Sequence, residues 1–159
     1  MPVHTAIIEW RREGAPFVDR RYSRAHEWRF DGGARVAASS SPHLVRAPLS
    51  NPASVDPEEA FIAALSSCHM LWFLDLAARA GYVIDRYTDH AEGHMGRRDH
   101  GAEWIAQVVL SPRVEFAAAE QPPDEQAVQA LHQRAHEACF IANSVRTEVL
   151  VHGTWSLGR

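Results

Sequence analysis

Two cysteines, Cys68 and Cys139, are the only thiols in this chain of 159 residues. Cys68 lies in the middle of the most apolar segment, and Cys139 closes a second segment with helical spacing. An isolated pair of this kind suits redox catalysis, redox sensing, metal binding or inert packing. If Cys68 is a nucleophile it must act as the thiolate, and an apolar helix opposes that by pushing the thiol above its reference pKa of about 8.5. Mid-helix placement also removes the help that a helix N-terminus gives an anion. A cation must therefore come from elsewhere. A guanidinium fits, since it keeps its charge and its planar fork can be fixed by a carboxylate.

The elements that would position these thiols can be read from capping signals and periodicity. Asp56 can cap a helix, Pro57 suits its first position, Glu59 can reach back to the cap, and Gly81 ends it. Apolar residues surround Cys68 on most of the helical circumference, which predicts a central helix wrapped by protein on nearly all sides. Strands are predicted over residues 3–11, 24–30 and 34–40, the last two joined by the turn Asp31-Gly32-Gly33. Residues 41–55 carry three prolines and read as a loop. Residues 82–95 and 104–116 read as two long strands. Pro122-Pro123-Asp124 opens a second helix with Ala127, Val128, Leu131, Ala135 and Ala138 on one face, and residues 144–151 read as a last strand. The order βββ-α-ββ-α-β, without repeat or linker, predicts one α+β domain over residues 1–159 with largely antiparallel sheets.

Composition narrows the function classes. Sixteen basic against twenty acidic residues, a net charge of −4, leave no electrostatic footprint for nucleic acid. The N-terminal residues lack a basic start and a long apolar run, and the apolar run 61–74, interrupted by Ser66, Ser67 and His69, is too short to span a bilayer. The expectation is a soluble, cytoplasmic protein without a membrane partner. In that compartment a structural disulfide is disfavoured.

The segment from Asp56-Pro57-Glu58-Glu59 to Ser67-Cys68, followed some seventy residues later by a helix ending at Ala138-Cys139 and a strand, resembles the OsmC/Ohr family of organic hydroperoxide reductases. The resemblance implies an OsmC-like fold in an intertwined homodimer. It also implies a peroxidatic Cys68, a resolving Cys139, a site carboxylate at Glu58 and a site arginine. Arg24 is the favoured arginine, with Arg46 and Arg21 as alternatives. The substrate would be an organic hydroperoxide, the reductant a dithiol such as a lipoylated protein, and no cofactor is called for. Peroxide attack would leave Cys68 as a sulfenic acid that Cys139 converts to a disulfide. Glu58 and Cys68 are ten residues apart on one expected helix, about 15 Å along its axis. A site using both would therefore be shared between two copies. His69, directly after Cys68, departs from the residue expected there.

Competing readings rest on other residues. Buried cysteines are commonly inert, Glu58 alone is a favourable charge in a first helical turn, and Arg24 alone is a solvated strand residue. His132 and His136 stand four apart on the second helix, so with Cys139 and Cys68 they define a candidate zinc site. Trp72 and Phe73 could line an apolar pocket in a non-catalytic ligand-binding protein of the same fold.

Overall fold

Asp56 and Glu59 close the predicted capping box. The backbone N–H of Glu59 donates to Asp56 Oδ1 at 2.8 Å, and that of Asp56 donates to Glu59 Oε2 at 3.0 Å. From this start α1 runs over Pro57–Arg79. It ends where Gly81 adopts a φ of +84° and the N–H of Tyr82 reaches the carbonyl of Ala77 at 3.0 Å, a left-handed cap that favours glycine. The computed structural model describes residues 1–158, which form two compact units that divide between residues 60 and 61.

The first unit contains an antiparallel sheet of β1 (Ala6–Glu9), β2 (His26–Phe30) and β3 (Arg35–Ala38) in that order. Ile8 faces Trp28 and His26 faces Ala38 across the ladders. The predicted Asp31-Gly32-Gly33 turn forms, with Gly33 at a φ of +88°.

In the second unit the predicted strand over residues 82–95 is two strands, β4 (Ile84–Asp89) and β5 (Glu92–Arg97). The one over 104–116 is likewise two, β6 (Glu103–Leu110) and β7 (Pro112–Phe116). Both breaks fall at one polar junction: Asp89 accepts the Ser111 N–H at 2.7 Å and the Ser66 hydroxyl at 2.5 Å. Continuous β-forming composition hides that junction, because its cause is a contact twenty-two residues away.

Helix α2 (Glu125–Ala138) begins at Asp124, whose carboxylate accepts the Ala127 N–H at 2.8 Å. The predicted last strand shortens to β8 (Glu148–Val151), and β9 (Thr154–Leu157), absent from the sequence reading, follows it. The order is thus βββ-α-ββββ-α-ββ, still α+β. β8 and β9 enter parallel to β6 and β7, giving mixed sheets β5-β6-β8 and β4-β7-β9.

The core gathers on one stripe of α1. Leu65, His69, Phe73, Leu76 and Ala77 are buried, at the three- and four-residue spacing of a helix face. Phe73, Leu76 and Ala77 pack with Val114, Phe116, Val128, Leu131 and Ala135, while Leu65 packs with Val108 and Leu110. Burying Phe73 alone is worth roughly 1.5–3 kcal/mol. Contrary to the expectation of a helix wrapped on nearly all sides, the most apolar 18-residue window of α1 is only 28% buried in the single chain, and Leu71 is 61% exposed. By length and composition α1 also meets the test for a membrane span, which the shorter run 61–74 had not suggested.

Candidate active site

Cys68 and Cys139 are both free thiols, and Cys68 lies near enough to Cys139 to act on its protonation. α1 presents Cys68 half-exposed, whereas Cys139, the C-cap of α2, is 1% exposed. Burial first, and then the neighbouring Cys68 side chain, push the Cys139 thiol up to about 11. The N–H of Ala142, donating to Cys139 Sγ at 3.4 Å, works in the opposite direction. Asn143 fixes this corner by donating its side-chain amide to the carbonyls of Glu137 and Cys139 at 2.8 and 2.9 Å, so the end of α2 is capped by a side chain.

Cys68 opens on an apolar cavity of about 340 Å³ lined by Leu71, Trp72 and Phe140, with the Asp75–Arg79 ion pair at its edge. Trp72 meets Phe140 edge-on, their centroids 5.5 Å apart. Phe73, the other aromatic singled out in the sequence, is core instead.

Arg24 and Glu58 line a cavity of about 480 Å³ in the first unit, with Trp10, Phe17 and Tyr22 among its walls. Phe17 stacks on Tyr22 at 4.7 Å, and Trp10 donates its indole N–H to the Ser23 carbonyl at 2.8 Å. The Arg24 guanidinium lies 3.9 Å from the Tyr22 ring centroid and donates to the carbonyls of Arg20 and Tyr22. Glu58 Oε2 is buried without a hydrogen-bond partner. Of the three candidate arginines, Arg24 lines this cavity half-buried, and Arg21 and Arg46 are exposed.

The zinc arrangement does not form. His132 is 7% exposed and turns inward, placing its Nδ1 3.0 Å from Nε2 of His69, itself 1% exposed. Cys139 meets Cys68 instead of joining the histidines, and among the described residues no three His, Cys, Asp or Glu side chains group as metal ligands. The imidazole pair was missed in the sequence. Its signal was the position of His132 within the buried α2 stripe Val128, Leu131, His132, Ala135.

The family model for OsmC-like proteins matches residues 50–152. The chain belongs to the OsmC family. An OsmC-like protein of unknown function from Vibrio cholerae is 50% identical to this OsmC chain, with a TM-score of 0.93 over 97% of it and 100% of the relative. An organic hydroperoxide resistance protein from Elizabethkingia anophelis, 19% identical, gives a TM-score of 0.66 over 99% and 98% of the two chains. The organic hydroperoxide resistance protein of Bacillus subtilis, 17% identical, gives 0.62 over 97% and 98%. The two distant relatives carry the fold alone. No curated protein matches this OsmC chain.

Proposed function

We propose that the protein is a cytoplasmic thiol peroxidase that reduces organic hydroperoxides to alcohols through Cys68 and Cys139, acting as a homodimer. The observation that carries this reading is the asymmetry of two neighbouring thiols: Cys68 is open to a cavity, while Cys139 is buried and held protonated. The Cys68 thiolate attacks a peroxide oxygen, the O–O bond breaks, and the alkoxide leaves and takes up a proton. Cys68 becomes the sulfenic acid. Cys139 then attacks its sulfur, the S–S bond forms and water departs. A dithiol of the lipoyl type returns both thiols. The apolar lining at Leu71, Trp72 and Phe140 favours an organic peroxide over hydrogen peroxide.

Arg24 is assigned as the cation for the thiolate and the departing alkoxide, and Glu58 as the carboxylate that fixes it. The buried, unpartnered Glu58 Oε2 supports a role that a single chain leaves unfilled. Ten residues of continuous helix separate Glu58 from Cys68, about 15 Å, which favours a site built from two copies. The open faces of α1 and the 70% exposed Phe140 then become interface. Relatives aligned over nearly the full chain support treating residues 1–159 as one OsmC-like domain.

The test is turnover of cumene hydroperoxide with dihydrolipoamide, followed by non-reducing peptide mapping. The wild type should turn over and accumulate a Cys68–Cys139 disulfide when the reductant is withheld. Cys68→Ser should be inactive, and undiminished turnover in that variant ends the proposal.

A further inference from the structure

Beside the thiols, α1 and α2 make a second polar contact that the proposed chemistry does not use. On α1 the residues involved, Cys68 and His69, are consecutive. On the α2 side, His132 and Cys139 are seven apart, two helical turns or about 10 Å. The imidazoles are stacked nearly parallel, with an interplanar angle of 8° and centroids 5.3 Å apart, and the Phe73 ring lies 4.3 Å from that of His132.

Such a pair is costly to bury. His69 Nδ1 and His132 Nε2 are both shielded from water without a partner, so an apolar pair of similar size would be cheaper to bury there. What the imidazoles supply is direction. Apolar surfaces attract without a preferred axis, whereas an N–H···N bond at 3.0 Å fixes one alignment of its two helices. Gly153 holds the other side, because a Cβ there would sit 2.5 Å from His132 Nε2. The ring is therefore wedged between Gly153 and His69.

We propose that the His69–His132 pair, backed by Gly153, is a positioning device that sets α1 against α2 in the register at which Cys139 meets Cys68. The proposal rests on Cys139 being the thiol that closes onto Cys68. A disulfide demands S–S near 2.0 Å and Cβ–Cβ near 3.8 Å, so closure is sensitive to a slide of about 1 Å.

The test is thiol exchange on the full chain with 5,5′-dithiobis(2-nitrobenzoate), without peroxide. The half-exposed Cys68 attacks the reagent as its thiolate, forming a mixed disulfide and releasing one thionitrobenzoate. The Cys139 thiolate then attacks the Cys68 sulfur, its proton going to solvent, and expels the second. His69→Leu, His132→Leu and Gly153→Ala should slow the second release by about tenfold or more while leaving the first within about twofold. His69→Gln and His132→Asn, which place an amide where Nε2 and Nδ1 stand, should recover much of the rate. Second release at the wild-type rate in the leucine variants, or amide variants no faster than leucine, overturns the proposal. Should the leucine variants not fold, Gly153→Ala decides on the same criterion against the amide variants. A wild type that shows the two-step exchange but reduces no peroxide would remove the peroxidase reading and leave this one standing.

Discussion

His69 Nε2 and His132 Nδ1 meet 3.0 Å apart in the core of the second unit, one residue along α1 from the thiol that faces the apolar cavity. Burial pushes both imidazoles down, His69 to about 3 and His132 to about 4, with the charges of His132 and His136 adding to the effect on His69. Both are neutral at pH 7, which permits a neutral hydrogen-bonded pair.

Acid should loosen the fold through this pair. Between pH 6.5 and about 4 the unfolded chain binds protons at His69 and His132 that the folded chain refuses, so stability rises with pH across that window and is lost on acidification. At pH 5 the loss is on the order of 2 kcal/mol per histidine. Urea midpoints at pH 7 and 5 measure it, and a double leucine variant should show a flatter dependence. An equal drop in that variant would assign the acid sensitivity elsewhere.

Arg24→Ala should slow oxidation of Cys68 by cumene hydroperoxide by about tenfold or more at neutral pH, since electrostatic stabilisation of this kind is commonly worth several kcal/mol. Arg46→Ala and Arg21→Ala, on exposed residues, should stay within about twofold. Stopped-flow kinetics of the first oxidation separates them, and a reversed order would move the cation to the other loop.

Sharing of the site can be read by complementation. Cys68→Ser and Glu58→Ala subunits, each inactive alone, should regain activity when co-expressed, because one site of a mixed dimer then carries neither change. Purified mixed dimers that remain inactive would place Glu58 and Cys68 in the same copy or outside a common site.

Asp89→Ala should cost on the order of 2–3 kcal/mol, because it strands the Ser111 N–H and the Ser66 hydroxyl together. Chemical denaturation checks this. A loss under about 0.5 kcal/mol would mean that water replaces the carboxylate at the junction.

Much of the fold was legible where the cause is local. Asp56 and Glu59 cap α1 through residues three apart, Asp124 caps α2 in the same way, and Gly33 and Gly81 mark turns that need a positive φ. The family, too, was carried by a local pattern, the spacing from Pro57-Glu58 to Cys68. What the sequence could not reveal depends on partners distant in the chain. β-forming composition continues through Asp89 and Ser111, so only their mutual contact exposes the strand breaks. β9 is a short segment given its place by pairing with β7. His132 and His136 share a helix face at four-residue spacing, which suggests a metal. Packing instead carries His132 into the core with Val128, Leu131 and Ala135, and there His69, sixty-three residues away, is its hydrogen-bond partner. Likewise the sequence names two cysteines, but only the tertiary structure brings them near each other and buries one of them.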